Sequence, residues 1–193
     1  MLRTSDIPKD KHIVVYANYR TGSTAFCDFL SKETGLVNYD EIFHSNIPFK
    51  KQYLTQSPSI FKIMPDHMVT AEFTDLVSNG FKIGIKRRSL VNQIASYYIC
   101  HMTKIWHYKQ DDIFNNDLYD IEIIDNELVN VIRYILELND TYNTSSIQKD
   151  IEFYYEDILD IFSKSKYFRY KKPSNYQVLL ERIAGLLDSA KTT

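Results

Sequence analysis

Ile13-Val14-Val15-Tyr16-Ala17-Asn18-Tyr19-Arg20-Thr21-Gly22-Ser23-Thr24-Ala25-Phe26 is the stretch on which the fold turns. A run of apolar, β-favouring residues enters a tight turn at Gly22 and leaves it as a helix, so the segment reads as a buried strand, a turn and a helix N-terminus. Gly22 allows close backbone approach. Ser23 and Thr24 add hydroxyls and amides where the helix dipole favours negative charge, and Arg20 stands beside them as a fixed cation. The turn is therefore a candidate anion cradle. It is not the nucleotide-triphosphatase loop, because G-x-x-x-x-G-K-[ST] needs an earlier glycine and a Gly-Lys pair that this chain lacks.

Working outward, 193 residues with 44% hydrophobic content suit one globular domain over residues 1–193, with a polar, flexible N-terminus over 1–11. A net charge of -2 and a pI near 6.2 argue against a general nucleic-acid binder. Cys27 and Cys100 sit far apart in apolar, helical stretches, which favours buried thiols over a disulfide or a metal site. Nor do the histidines make a metal-ligand pattern, so no metal is expected. No run approaches the roughly 18 apolar residues of a membrane span, and no apolar signal core precedes residue 12. A soluble, cytoplasmic protein is the expectation.

The periodicities predict strands over 12–18, 61–64, 81–86 and 151–155. They predict helices over 23–32 (capped by Gly35), from Asp66 as N-cap towards Ser78, over 90–104 (capped by Ser89), 126–142, 156–162 and 176–190. Residues 106–125 are acidic, aromatic and aperiodic, and read as a loop or lid. Strands alternating with helices predict an α/β fold: three layers, α/β/α, around a central, mainly parallel sheet, with ligands at the carboxyl ends of its strands.

A second strand-turn-helix unit ends in Lys86-Arg87-Arg88 and continues through Ser89-Leu90-Val91-Asn92-Gln93-Ile94-Ala95-Ser96. A guanidinium at the strand end and a hydroxyl one to two turns into the helix can grip one phosphate from two sides. Taken alone, a basic pair is usually solvated charge and a helix serine usually bonds its own backbone. Taken with Arg20-Thr21-Gly22-Ser23-Thr24, the two motifs resemble, in order and spacing, those of sulfotransferases that use 3'-phosphoadenosine 5'-phosphosulfate (PAPS) and release 3',5'-adenosine bisphosphate (PAP). The likeness is closest to the bacterial trehalose-sulfotransferase type, with its R-S-G-S-T-L-L loop and R-R-x-x-x-x-Q-A-x-S motif. It covers about residues 12–104 well and 150–182 loosely, the latter through the Y-E-D-L-like Tyr155-Glu156-Asp157-Ile158.

The resemblance implies a P-loop-like sulfotransferase fold and roles residue by residue. Arg20, Thr21, Gly22, Ser23 and Thr24 would hold the 5'-phosphosulfate. Ser96 with Arg87 or Arg88 would hold the 3'-phosphate, and Lys171 and Lys172 would reach it from a C-terminal basic loop. Glu41, twenty-one residues after Arg20, matches a glutamate resembling the general base, a task for which burial should raise its pKa. Lys62 matches a lysine that in the animal cytosolic enzymes precedes a base histidine by two positions. That position here is Met64, and His67 with Asp66 is the fallback base. Tyr97, Tyr98, Trp106, Tyr108, Phe114 and Tyr119 could form an acceptor pocket or an adenine wall. The acceptor would be a hydroxyl of a carbohydrate, glycolipid or other small metabolite. The chain is shorter than the trehalose type, which leaves a compact or a reduced enzyme, and a homodimer, open. A noncatalytic nucleotide-binding module and, against the missing Gly-Lys, a small-molecule kinase are the rival readings.

Overall fold

The computed structural model describes residues 6–44, 58–67, 70–106, 119–162 and 172–190. Five strands, β1 (Ile13–Ala17), β2 (Val37–Asn38), β3 (Ser59–Ile63), β4 (Phe81–Lys86) and β5 (Ile151–Tyr154), form one sheet in the order β2-β3-β1-β4-β5. Every neighbouring pair is parallel, with Ile13 beside Ile60 on one side and Phe81 on the other. The α/β reading holds. Helices α1 (Ser23–Thr34), α2 (Ala71–Asn79), α3 (Leu90–Thr103), α4 (Asp125–Thr144), α5 (Leu159–Phe162) and α6 (Tyr176–Ala190) flank it, and a 3-10 turn over Tyr155–Ile158 precedes α5.

The centre of the sheet explains why β1 reads as continuous apolar sequence. A parallel strand with neighbours on both edges and helices on both faces has no solvent side, and all five of its residues are buried. Ile13, Val15 and Ala17 pack with Phe26, Cys27 and Leu30 of α1 on one face. Val14 and Tyr16 pack on the other with Ile42, Phe43, Phe73, Leu76 and Tyr142. A third apolar cluster joins α3, α4 and α6 through Ile94, Tyr98, Leu128, Ile135, Leu179 and Ile183. Gly84 lets the α4 end lie tight on β4, since a Cβ there would sit 2.6 Å from Tyr142 Oη and 2.8 Å from Lys149 Cγ. No helix among the described residues is long and apolar enough to cross a membrane.

Local expectations hold at most helix ends and fail at one. Gly35 closes α1 in the left-handed region (φ 75°), its N–H donating to Ser31 O. Ser89 caps α3 by accepting from Asn92 N–H. Asp66, however, does not cap α2: Thr70 does, accepting from Phe73 N–H at 3.2 Å. The Asp66 carboxylate is taken by the hydroxyls of Tyr134 (2.8 Å) and Tyr19 (3.2 Å). The edge strand β2 is an addition, too short and exposed to leave a periodic signal.

Strand order reverses at β1, because β2 and β3 lie to one side of it and β4 and β5 to the other. The crevice beyond the carboxyl end of β1, between β3 and β4, is thus the switch point at which open α/β sheets take ligands. The turn at residues 18–22 lies there.

Candidate functional site

The turn is pinned by a ring of hydrogen bonds. Asn18, buried, accepts from Tyr19 N–H through Oδ1 (2.8 Å) and donates through Nδ2 to Asn139 Oδ1 (2.6 Å). Asn139 donates to Gln93 Oε1 (3.2 Å), and Gln93 Nε2 returns to Tyr19 O (2.9 Å). Thr21 closes the turn by donating its hydroxyl to Asn18 O at 2.7 Å. Its hydroxyl is thereby spent on the backbone, so what Thr21 offers a ligand is its amide. The sequence reading missed Asn18 and Asn139 as supports, since their amides meet only across the tertiary fold.

Arg20 and Gly22 both adopt left-handed backbone, at φ 61° and 73°. Gly22 passes directly into right-handed α1 at Ser23, and such a change of hand turns successive N–H groups towards one point. The α1 N-cap is Gly22, which has no side chain to cap the helix. The Arg20 side chain reaches across to α3, its Nε donating to Ser96 Oγ at 3.0 Å and its Nη1 to Trp106 O at 2.8 Å. Arg20 and Ser96, drawn from the two motifs, therefore share one crevice.

On the β3 side, the Lys62 side chain is 1% exposed and its ammonium meets three oxygens: Thr24 Oγ1 (2.6 Å), Glu41 Oε1 (2.6 Å) and Asp40 Oδ1 (2.8 Å). Burial alone would lower its pKa, but the carboxylates of Asp40 and Glu41 prevail and hold it above the ordinary lysine value. Glu41 is the mirror case. Burial would raise its pKa, yet the His67 imidazole and the Lys62 ammonium outweigh it and bring the carboxyl down to about 2. The expectation of a raised Glu41 pKa is overturned by these two neighbours. His67 Nδ1 accepts from Met64 N–H (3.1 Å), so a neutral ring carries its proton on Nε2, which faces Glu41 Oε2 at 3.7 Å. Because Nδ1 is occupied, His67 is a support for Glu41 and a poor base in its own right.

The basic pair after β4 splits. Arg88, about half exposed, forms a two-pronged pair with Asp157 (2.5 and 2.7 Å) and lies over Tyr154. It is not brought to Ser96. Arg87 takes the inward place: its Nη1 donates to Arg20 O at 3.1 Å, its guanidinium lies over the Tyr155 ring, and its Nε, buried without a hydrogen-bond partner among the described residues, faces the Glu156 carboxylate at 3.6 Å. Lys172 is exposed over the Tyr176 ring (4.2 Å), and Tyr176 Oη donates to Asn92 of α3. Lys171, Tyr108, Phe114 and residues 107–118 of the lid lie outside the described residues. Of the remaining aromatics, Tyr97 and Trp106 cluster edge to face beside Tyr19 and Tyr134. Tyr98 is wholly buried, holding Glu122 O and Ile124 N–H with its hydroxyl, and so belongs to the core. Tyr119 is half-buried and gives its carbonyl to Ser174.

No protein-family model and no curated protein matches this chain.

Proposed function

We propose that the chain is a PAPS-dependent sulfotransferase acting on a hydroxyl of a small or carbohydrate acceptor. The observation that carries this reading is the meeting, at one switch point, of a helix N-terminus with glycine at its cap and three cations aimed at its rim: Arg20, Lys62 and Arg87. A donor with two separated anionic groups calls for that chemistry. The fit is supported by the buried Nε of Arg87, which has no hydrogen-bond partner among the described residues and only the Glu156 carboxylate near it, at 3.6 Å. It favours Arg87 with Ser96 for the 3'-phosphate, whereas Arg88 is already satisfied by Asp157.

When bound, PAPS supplies a sulfuryl group, whose S–O bond to the nucleotide breaks as a bond from sulfur to the acceptor oxygen forms. The amides of Gly22, Ser23 and Thr24 and the guanidinium of Arg20 hold negative charge in place, as in phosphoryl transfer, where positioning and electrostatics supply most of the rate. Arg20 acts as a clamp, because a guanidinium does not give up its proton. Lys62 neutralises charge on the leaving oxygen and can donate a proton to it. Glu41 receives the acceptor's proton. It is a weak base while Lys62 grips it, and any ligand oxygen that draws the ammonium away returns the carboxyl towards a useful pKa.

That low Glu41 pKa also favours a second reading, a nucleotide-binding module without turnover. Titration of the full chain with PAP and ADP, followed by thermal unfolding, tests the donor. PAP at about 100 times its Kd should raise Tm by roughly 5–10 °C, ADP by less, and Arg87→Ala should remove the difference. Glu41→Gln should abolish transfer with PAP affinity nearly unchanged. Equal responses to PAP and ADP would refute the donor, tighter binding of ATP than of PAP would favour a kinase, and PAP binding without transfer by the wild type would leave the module.

A further inference from the structure

A groove of about 710 Å³ runs along the α2 face of the sheet, between α2 and the connection from α4 to β5. That is a volume suited to a small-molecule ligand. Met64, Pro65 and His67, just beyond the carboxyl end of β3, form part of its lining. The His67 side chain there is 1% exposed, and its Nε2 has no hydrogen-bond partner among the described residues and lies 3.7 Å from Glu41. At this part of its lining the groove is separated from the Glu41 carboxylate, on the side of the phosphate cradle, by the His67 ring.

The walls define what would fill it. Thr74, Ser78, Thr141, Thr144, Ser145 and Ser146 bring six hydroxyls to the lining. Those of Thr74, Thr141 and Thr144 donate to carbonyls four residues back in their own helices. Their protons are thus committed while their lone pairs remain, and such a wall takes ligand O–H donors. Charge in the lining is unequal, with Lys82 and Lys149 against Asp150. Lys82 is answered by Asp150 at 3.6 Å and Gly80 O at 3.0 Å. Lys149 instead rests on aromatic faces, 4.5 Å from the Tyr142 ring centre and 5.2 Å from that of Tyr16, with the Tyr142 carbonyl at 3.3 Å. Partial burial, opposed by Glu152 and aided by the neighbouring Lys86, holds its pKa below the ordinary value, so an anion placed beside it would relieve the site.

We infer that this groove binds a polyhydroxylated ligand carrying one anionic group, with Lys149 meeting the anion and His67 marking the part of the lining nearest Glu41. A sugar phosphate or a uronate has this chemistry. That the ligand is the sulfuryl acceptor rests on the proposed function; that it binds here does not.

The test titrates the full chain with glucose 6-phosphate, glucuronate and glucose, alone and in the presence of saturating PAP. Both anionic sugars should bind at least about tenfold more tightly than glucose, near the lower end of what one charge-assisted hydrogen bond contributes. Lys149→Met, which keeps the stem over Tyr16 and Tyr142, should erase that preference. Thr74→Trp, at an exposed position on α2, should block all three sugars while the PAP response persists. Equal affinity for glucose and its phosphate, a preference that survives Lys149→Met, or displacement of the sugar phosphate by PAP would each overturn the assignment. Sugar binding without PAP binding would leave the groove and remove the donor reading; PAP binding without sugar binding would do the reverse.

Discussion

Acid should loosen this protein through Glu41, and the size of the effect can be worked from the neighbours that hold its carboxyl down, His67 and Lys62. The carboxyl lies at about 2 in the folded chain against 4.5 ordinarily, with its side chain 18% exposed and 2.6 Å from an ammonium that is 1% exposed. At 1.36 kcal/mol per pH unit that displacement is worth about 3 kcal/mol. Because the folded-state pKa is depressed, the stabilisation is fully present above pH 4.5 and is lost as pH falls towards 2. Between pH 6 and pH 3 the loss should be about 2 kcal/mol. Urea unfolding at intervals across that range gives the slope directly. Glu41→Gln should flatten the curve by that amount. At neutral pH it should cost about 2–3 kcal/mol, somewhat under the usual cost of stranding one partner of a buried pair, because Asp40 at 2.8 Å still holds Lys62. A variant whose stability falls with acid as steeply as that of the wild type would refute the assigned pairing and, with it, the explanation for the low Glu41 pKa.

Four further outcomes follow from packing and charge. Gly80→Ala should cost about 1–3 kcal/mol in urea unfolding, since its Cβ would lie 2.7 Å from Leu76 O and from Val14 Cγ2. Gly84→Ala should cost less if Tyr142 and Lys149 can swing aside, and in doing so it should weaken sugar binding in the groove. Arg88→Ala should leave PAP affinity within about twofold, because that guanidinium is exposed and bonded to Asp157, whereas Arg87→Ala should lower PAP affinity at least about tenfold; calorimetric titration separates them. Cys27 and Cys100 are fully buried with pKa values raised by desolvation, so neither should react with a thiol reagent until the chain is unfolded, as absorbance during a denaturant ramp would show.

How much of this could be read from residues alone depends on whether the deciding contact is local. The strands and helices follow from periodicity, and Gly35 and Ser89 act on amides within a few residues of themselves. The Asp66 cap fails because two tyrosine hydroxyls, brought from the turn after β1 and from α4 by the fold, outcompete the nearby amides. The choice between Arg87 and Arg88 is left open by the sequence for a similar reason. Successive residues leaving a strand face opposite ways, and only the position of Asp157 beyond β5 decides which one is drawn outward. Glu41 was legible as a semi-buried carboxylate but its partner was not, since Lys62 arrives through the β2–β3 register. The groove had no sequence signature, being lined from separate segments that meet only in space.

The place of β1 in the middle of the sheet sets an order of events during synthesis. Both of its neighbours, Ser59–Ile63 and Phe81–Lys86, are made later, so at about 5–20 residues per second the most apolar strand of the chain waits several seconds with both edges bare. During that interval it is a natural substrate for holdase chaperones and a hazard for aggregation on crowded polysomes. Slowing translation between residues 18 and 86 should lower soluble yield, while slowing it after residue 154, when every strand has been made, should not.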